Sequence, residues 1–256
     1  MEEKLVLYER KENVGIITLN RPKSLNAITD PLLMDLKTAM DAARADKEAR
    51  VFIFKGEGRA FCAGADTKEA VSFASPEEHA EHYESMGQLM MSIMDIGGRP
   101  VIAQIQGYAV GGGLELALYC DLRIAAEDAK LGFAETRVGA TTAISATYIL
   151  PRIIGLAKAK ELLLVSEFID GKEAERIGMV NKAVPLEDLE RVTWELAKKI
   201  AGNYPLEVRL AKGAIDRGMD SNLLNAYKAS RADGRESYRA GARRRGMAEA
   251  RETAKK

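Results

Sequence analysis

Strands and helices alternate through the first two-thirds of this 256-residue chain, and this alternation is the feature that most constrains its fold. Segments rich in β-branched residues are followed by segments with apolar residues at helical spacing, at intervals of about 50 residues. Strands are expected at 4–9, 14–19, 51–56, 101–107, 122–127 and 129–135. Helices are expected at 28–49, 76–96 and 152–165, and directly after the glycines at 111–113. The pattern predicts an α/β fold built from repeated strand–strand–helix units.

The last third of the chain has a different pattern. From Lys172 onward we expect mostly helix, with an interruption at 179–185 and no strand pattern in about the last 60 residues. No low-complexity linker separates this part from the rest. We therefore predict a strand–helix core over residues 1–195 and a helical C-terminal region over 196–256.

Charge and composition exclude several classes of partner. Lys and Arg total 38, as do Asp and Glu, so nothing favours a nucleic acid or an anionic membrane. The N-terminus lacks the basic-then-apolar order of a signal peptide, and no apolar run approaches the roughly 20 residues of a membrane span. The two cysteines, Cys62 and Cys120, are expected to be buried and reduced. We expect a cytoplasmic protein.

Three successive glycines, 111–113, run directly into the predicted helix that carries Glu115. They do not form a dinucleotide fingerprint, because Leu116 occupies the position where the third glycine would stand. One interpretation is a helix N-terminus with bare backbone amides that stabilise negative charge. The other is tight packing between a strand and a helix, and this stretch alone leaves both open.

Two glutamates and a small-residue loop are further candidates. Glu115 lies between apolar residues, where a carboxylate is costly unless it is paired or used, although a glutamate in a first helical turn also complements the helix dipole. Glu135 follows a strand and alone resembles an ordinary loop acid. FCAGAD at 61–66 follows a buried strand, and its small residues suit either a ligand near the backbone or a packed turn.

The two histidines, His79 and His82, lie on one polar helix and favour a solvated face over a metal site. Metal sites usually use a third ligand and a different helical spacing. We therefore expect no metal. A Ser-His-Asp mechanism is also disfavoured, since no other histidine is present.

Taken together, five stretches resemble the enoyl-CoA hydratase/isomerase, or crotonase, superfamily, in family order. They are LNRPKSLNAI (19–28), FCAGAD (61–66), the segment 100–135, LPRIIG (150–155) and IDGKEAERIGMVNKAVP (169–185). The resemblance implies a spiral of repeated ββα units, followed by a helical C-terminal region that forms a homotrimer or a hexamer of two trimers. It also implies an acyl-CoA thioester substrate, of which coenzyme A is a part, and no separate cofactor.

The resemblance also implies catalytic roles. The backbone amides of Ala65 and Gly112 would form an oxyanion hole for the thioester oxygen, on which negative charge develops as an enolate forms. Glu115 would mainly activate water, and Glu135 would mainly transfer the proton at the α-carbon. Isomerases of the family often keep only the second acid, so the presence of both favours water addition.

Further substrate contacts follow from the same resemblance. The residues implied in binding the acyl-CoA, besides Gly112, are Lys23, Leu25, Ala63, Ala65, Asp66, Thr67 and Lys68. Thr142 and Ala143 fall in the segment that lines the acyl pocket, where the family commonly has proline and glycine. This departure leaves the acyl group open between a linear chain and a ring or polar substituent. One of Arg243, Arg244 and Arg245 is hypothesised to contact a CoA phosphate across a subunit interface.

The expected function is an enoyl-CoA hydratase, a lyase that adds water reversibly across the 2,3 double bond, in fatty acid metabolism or aromatic degradation. Double-bond isomerisation, hydration of a cyclic dienoyl-CoA and C–C bond hydrolysis remain alternatives with the same oxyanion chemistry. A remote alternative is an RNA-binding relative, which uses a lysine-lined helix. The helix expected at 28–49 carries balanced charges and does not favour this.

Overall fold

The computed structural model describes residues 4–68, 75–241 and 246–247. The chain divides into two compact units, residues 1–198 and 199–256. The hypothesised phosphate contacts at Arg243, Arg244 and Arg245 lie outside the described residues.

The strands of the first unit form two sheets. Within the described residues the strands are β1 (Val6–Lys11), β2 (Val14–Leu19), β3 (Val51–Gly56), β4 (Val101–Ile105), β5 (Tyr108–Val110), β6 (Leu122–Ala126), β7 (Lys130–Gly132) and β8 (Lys182–Val184). The larger sheet has the order β1-β2-β3-β4-β6-β8, in which β1 is antiparallel to β2 and every other pair is parallel. Parallel pairing fits the apolar, β-branched strands, which are buried on both faces.

Helices connect the strands and fill the C-terminal part. They are α1 (Asp30–Ala45), α2 (Pro76–Met94), α3 (Gly112–Leu118), α4 (Ala146–Ile154), α5 (Leu156–Val165), α6 (Gly171–Arg176), α7 (Leu186–Ala201), α8 (Pro205–Gly218) and α9 (Leu223–Ala240). Short 3-10 helices span Pro22–Ser24 and Glu135–Val138. The N-cap of α1 is Thr29, whose side chain accepts a hydrogen bond from the Leu32 amide.

A second layer of short strands confirms the repeated ββα unit. β5 pairs in parallel with β7, and single parallel bridges join Cys62 to Ala109 and Ile28 to Ala65. Each of β2, β3 and β4 is therefore followed by a short extended segment of the second layer and then by a helix. This arrangement brings the segments after three neighbouring strands side by side.

Two predicted elements are divided in the structure. The strand expected at 101–107 ends early because Gly107 has a φ of +59°, and a Cβ there would lie 1.9 Å from the Arg59 carbonyl oxygen. The chain turns at Gly107 and enters β5, which the sequence analysis did not separate from β4. The helix expected at 152–165 is two helices, since Gly155 adopts a φ of +80° between α4 and α5.

The core of the first unit lies on the larger sheet. Phe52 and Phe54 of β3 are fully buried, as is the face of α1 that carries Leu32 and Leu36. Cys62 and Cys120 are both buried, as expected, and neither forms a disulfide within the described residues. Burial raises the pKa of the Cys62 thiol to about 12, which keeps this thiol protonated and unreactive at neutral pH.

The second unit contains α8 and α9, which pack against each other. Arg217 and Asp233 form an ion pair of 2.6 Å between these helices, and the Ser237 hydroxyl donates to Glu207 Oε1 at 2.8 Å. Several large apolar side chains of these helices are exposed: Ile215, Met219, Leu223, Leu224, Tyr227 and Tyr238. Among the helices of the described segments, none has the length and apolar character needed to cross a membrane.

Candidate active site

Close packing accounts for two of the three glycines that precede α3. Gly111 has a φ of +54°, and a Cβ there would lie 2.7 Å from Glu135 Oε1. A Cβ on Gly113 would lie 2.2 Å from the Cys62 carbonyl oxygen. A side chain at either position would collide with a neighbouring group, so packing is one of the reasons for the glycine run.

Gly112 differs from its two neighbours. A Cβ there would meet only flexible side-chain ends, at 3.3 Å from Ile28 Cδ1 and 3.9 Å from Ile144 Cδ1. Its amide is at the first position of α3, and within the described residues this amide has no hydrogen-bond acceptor. The glycine run thus combines tight packing with an unpaired amide at a helix N-terminus, where negative charge is stabilised.

A second unpaired amide lies in the loop after β3. The Ile28 amide donates to the Gly64 carbonyl at 2.8 Å, and the Asp66 amide donates to the Ile28 carbonyl at 2.9 Å. In this parallel bridge the intervening Ala65 directs its own amide away from the pair. Ala65 is exposed, and no acceptor for its amide exists in the part of the chain that the structure describes.

The loop with Ala65 lies directly against the start of α3. Gly64 has a φ of +88°, and a Cβ there would lie 2.6 Å from the Val110 carbonyl oxygen and 3.6 Å from the Gly112 nitrogen. No side chain therefore separates the two backbone segments. The two unpaired amides predicted to form an oxyanion hole, at Ala65 and Gly112, lie on adjoining segments.

Glu115 is held inside the protein by the start of α4. It is 2% exposed, and its Oε1 accepts hydrogen bonds from the amides of Ser145 at 2.9 Å and Ala146 at 2.8 Å. Burial raises the pKa of this carboxyl, the two amides oppose that effect, and the negative charge of Glu135 adds to it. Its Oε2 has no donor among the described residues and is not sealed from solvent.

Glu135 begins a 3-10 helix and is held differently. It is partly buried, and its Oε2 is sealed from solvent with no hydrogen-bond partner among the described residues. Burial raises the pKa of the Glu135 carboxyl, against a smaller opposing effect of nearby backbone amides. Both glutamates therefore hold protons more readily than exposed carboxyls do.

A small cavity of about 180 Å³ adjoins Glu135. Its lining residues are Phe133, Glu135, Thr136, Thr141, Thr142, Thr147, Leu163 and Leu164. The structure thus brings Thr142 to Glu135, whereas Ala143, the other residue predicted for the acyl pocket, is exposed and does not line this cavity. Ile144, which approaches Gly112, was missed.

Tyr83 of α2 is another residue that the sequence analysis missed. A Cβ on Gly87, one turn further along the helix, would lie 3.6 Å from Ile144 Cγ2, so this face of α2 packs on the segment beside the glutamates. Burial and then the charges of Glu135 and Glu115 raise the pKa of the Tyr83 hydroxyl. Tyr83 gave no signal in a polar stretch of sequence.

The residues predicted for CoA binding form two adjoining loops. The Ala63 amide donates to the Leu25 carbonyl at 3.0 Å, and Leu25 adopts a left-handed conformation with a φ of +52°. Arg21 pairs with Asp66 at 2.8 Å, which lowers the pKa of the aspartate. Asn26, which the sequence analysis did not single out, accepts from the Arg21 amide at 2.8 Å and fixes the first loop.

Three further predicted contacts lie on the same loops. Lys23, Thr67 and Lys68 are exposed, and the Lys68 amide donates to Asp66 Oδ1 at 3.1 Å. Their side chains remain accessible to a large anionic ligand. The Asp66 carboxylate is instead occupied by Arg21, so its local contacts are those of a loop-bridging residue.

Neither His79 nor His82 belongs to a cluster of metal-binding side chains within the described residues. His82 contacts Asp30 at 3.1 Å between its Nδ1 and the carboxylate, and His79 packs on the ring of Tyr83. Over residues 4–68, 75–241 and 246–247, no group of three or more His, Cys, Asp or Glu side chains could hold a metal ion.

Comparison with known proteins gives a consistent family. The family model described as Enoyl-CoA hydratase/isomerase matches residues 9–256. The chain is 36% identical over 222 residues to the crotonyl-CoA hydratase of Syntrophomonas wolfei, covering 86% of this chain and 85% of the relative. It is also 36% identical over 227 residues to the short-chain-enoyl-CoA hydratase of Clostridium acetobutylicum, covering 88% and 86%.

The fold agrees with this match. A crystal structure of an enoyl-CoA hydratase from Bacillus anthracis superposes with a TM-score of 0.92 and 35% identity, covering 97% of this chain and 96% of that one. The α/β spiral of ββα units predicted from the sequence is thereby confirmed. This chain belongs to the enoyl-CoA hydratase/isomerase, or crotonase, family.

Proposed function

We propose that this protein is an enoyl-CoA hydratase, a hydro-lyase that adds water reversibly across the 2,3 double bond of an acyl-CoA thioester. One observation carries the proposal: Glu135 Oε1 lies against Gly111, the backbone amide of Glu115 donates to the carbonyl of the same glycine, and the charge of Glu135 acts on the buried Glu115 carboxyl. The turn at Gly111 leads to the unpaired Gly112 amide, beside the unpaired amide of Ala65. The names of the two relatives described above support the same reaction.

In the first step the thioester oxygen accepts hydrogen bonds from the amides of Ala65 and Gly112. These donors and the N-terminus of α3 stabilise the negative charge that develops on this oxygen as the enolate forms. Loss of one such donor typically lowers the rate by about 10²–10³. The thioester is thereby activated for attack at its β-carbon.

Water addition then uses the two carboxyls in turn. Glu115 takes a proton from water as the oxygen bonds to the β-carbon, and the double-bond electrons move to the thioester oxygen. Collapse of the enolate draws a proton from Glu135 to the α-carbon. Glu115 ends protonated and Glu135 ionised, and proton exchange restores the starting state.

The surroundings of the two carboxyls support this division of roles. Two amides donate to Glu115 Oε1, which favours its ionised form. Burial, with Oε2 sealed and without a donor among the described residues, favours the protonated form of Glu135 and outweighs the opposing effect of nearby backbone amides. Repulsion between the two charges opposes ionisation of both, so one proton on the pair is the state best suited to the reaction.

For substrate binding, we propose that the CoA part follows the loops that contain Leu25 and Ala63, with Lys23 and Lys68 near its phosphates. The acyl group enters the cavity beside Glu135, which Thr142 lines. A volume of about 180 Å³ suits a short acyl group. The names of the two relatives, a crotonyl-CoA hydratase and a short-chain-enoyl-CoA hydratase, also support a short acyl group. The competing substrate is a cyclic dienoyl-CoA, whose ring would meet the threonines that line this cavity.

We also propose a homotrimer, or a hexamer of two trimers, formed through the helical region at 196–256. The exposed apolar residues of α8 and α9 support an interface, since large apolar patches are uncommon on monomers. Light scattering of the purified protein measures the mass directly. A monomer would overturn this part of the proposal. No nucleic acid partner or separate cofactor is proposed, and a cytoplasmic location remains a prediction.

The decisive experiment follows the absorbance of the conjugated thioester with crotonyl-CoA and, separately, with a cyclic 1,5-dienoyl-CoA. Rapid loss with crotonyl-CoA supports a short-chain hydratase, and faster turnover of the dienoyl-CoA assigns the cavity to a ring. Glu190→Gln, at an exposed position of α7, is the matched control for glutamine at Glu115 or Glu135. If the unmodified protein caused no loss of absorbance with either substrate, that result would contradict hydration and favour isomerase or hydrolase chemistry.

A further inference from the structure

Ser145 stands at the N-cap position of α4, but its hydroxyl does not cap that helix. Serine is among the residues that most often accept a hydrogen bond from the first turn of a helix, so this departure from local preference needs a tertiary cause. The Ser145 hydroxyl instead forms a short hydrogen bond with the Tyr119 hydroxyl. A bond between helices thus replaces the local cap.

Tyr119 follows the last residue of α3, four residues after Glu115, and its amide donates to the Glu115 carbonyl at 3.1 Å. The tyrosine is 3% exposed. A residue pair four apart lies on one face of a helix, so Tyr119 and Glu115 both face the start of α4. The Glu115 carboxylate accepts from the Ser145 amide, and the Tyr119 hydroxyl binds the Ser145 hydroxyl.

These bonds form a closed ring. It runs from the Glu115 carboxylate to the Ser145 amide, through the Ser145 side chain to Tyr119, and back along α3. The two amide bonds attach this segment to a single side-chain oxygen, and the hydroxyl bond adds a second attachment to the same helix face, which limits how the amides can turn. The ring also fixes the Glu115 side chain, because both bonds from the amides of Ser145 and Ala146 end on Oε1.

We propose that Tyr119 and Ser145 are a positioning pair that keeps the two amides on Glu115 Oε1 and leaves Oε2 directed to the nucleophilic water. This inference rests on the proposed hydratase function. Neither hydroxyl takes part in proton transfer. Their effect is exerted through the orientation and ionisation of Glu115.

The first test compares Tyr119→Phe, Ser145→Ala and the double variant with the unmodified protein in crotonyl-CoA hydration. Each single variant lowers kcat by about 3- to 10-fold, the equivalent of one ordinary hydrogen bond, and leaves KM within about 2-fold. The double variant is no worse than either single one, because both remove the same bond. Tyr148→Phe, the same substitution at an exposed tyrosine of α4, is the matched control. Additive losses, or a change confined to KM, would overturn the proposal.

A second readout does not need hydration activity. The titratable groups that face Glu115 are Glu135, Tyr83 and Tyr119 itself. In a Glu135→Gln background the Glu115 carboxyl therefore titrates without its charged neighbour, and its pKa is measured by NMR of labelled glutamate. Loss of either hydroxyl raises this pKa, because the amides that favour the ionised form become mobile. An unchanged pKa in a folded variant would overturn the positioning role, whereas inactivity of the unmodified protein would count only against the hydratase function.

Discussion

Glu115 and Glu135 lie on two sides of one glycine turn, yet the protein holds them in opposite ways. The Glu115 amide donates to the Gly111 carbonyl, while Glu135 Oε1 occupies the space that a Gly111 side chain would take. Two amides at the start of α4 bind one oxygen of Glu115, and the other oxygen has no donor among the residues described. Glu135 has one oxygen buried without a donor among the residues described.

Backbone geometry, and not residue type, differentiates the side chains of Glu115 and Glu135. Amide hydrogen bonds favour the charged form of a carboxylate and offset part of the effect of burial, which favours the neutral form. A carboxyl with a sealed, unpaired oxygen is stabilised as the neutral acid. The same residue type can therefore serve as a base or as an acid. Glu115 is favoured as the base because the amides at the start of α4 bind its carboxylate.

The largest expected effect separates the two roles directly. Glu115→Gln and Glu135→Gln each lower the rate of hydration by about 10²–10⁴, since each removes a proton-transfer group. If Glu135 transfers the α-proton, as we propose, exchange of the α-proton of butyryl-CoA with deuterated water should depend on Glu135 alone. We therefore expect exchange to be lost in Glu135→Gln and retained in Glu115→Gln, as measured by mass spectrometry.

Glu190→Gln is the control for both reactions and should match the unmodified protein. If Glu115→Gln abolished exchange while Glu135→Gln retained it, the assigned roles would be reversed. Loss of exchange in both variants would mean that the two carboxyls act on the α-proton as a unit. That result would contradict the assignment of separate roles to Glu115 and Glu135.

A second prediction tests the unpaired amide of Gly112, which follows the glycine that contacts Glu135. Gly112→Pro removes this amide at the first helical position, where proline is well tolerated. Gly111, with a φ of 54° and a ψ of −125°, has the mirror image of a conformation that suits the residue before proline. Hydration by this variant should fall by about 10²–10³, and circular dichroism should be unchanged.

Gly112→Ala keeps the amide and is the matched variant, because its new Cβ meets only the end of the Ile28 side chain. Its loss of kcat should be far smaller than that of the proline variant. Equal losses in both would indicate that the added atoms, and not the missing donor, impair the reaction.

A third prediction concerns stability and its dependence on pH. The pKa of Glu135 is raised in the folded protein, so the unfolded chain releases this proton at lower pH than the folded one. Stability due to this group therefore falls as pH rises from the ordinary glutamate pKa through the folded pKa. Glu135→Gln removes that loss and should increase the free energy of unfolding at pH 8 by about 0.5–2 kcal/mol, while activity falls.

Thermal unfolding of this variant at pH 8 measures the effect as a rise of roughly 2–4 °C in Tm for each kcal/mol. Glu115→Gln should be stabilised less, because the two amides at Oε1 already compensate the charge of the native carboxylate. An equal gain in both variants would show that the two environments do not differ in the way described.

The glycine run and the small-residue loop could be singled out from local sequence, whereas the roles of their amides and of the two glutamates were implied only by the family resemblance. Gly111 and Gly113 are visible as glycines, and their packing against Glu135 and Cys62 explains the run. The repeated ββα unit was predictable because apolar periodicity distinguishes strands from helices. The division of 101–107 was not, since only the close approach of Gly107 to another loop stops the strand.

The residues that were missed lack such a signature. Tyr83 belongs to a polar helix and becomes relevant only because α2 packs on the segment with Ile144. Tyr119 and Ser145 are 26 residues apart in sequence and meet only when α3 and α4 come together. Asn26 fixes a loop through contacts with Arg21 and Ala60 that no local pattern indicates. Tertiary contacts of this kind depend on the whole fold.

The smallest expected effect concerns the cavity of about 180 Å³ that Glu135, but not Glu115, lines. Thr142→Ala removes a hydroxyl and a methyl group from its lining without touching either carboxyl's hydrogen bonds. Crotonyl-CoA hydration should stay within about 3-fold, whereas the ratio of kcat/KM for hexenoyl-CoA over crotonyl-CoA should rise by about 10-fold, the value of one methylene-sized space. Thr38→Ala, on the exposed face of α1, should leave the ratio unchanged. An unchanged ratio in Thr142→Ala as well would contradict the assignment of this cavity to the acyl group, because a group that fills the cavity must respond to a change in its lining.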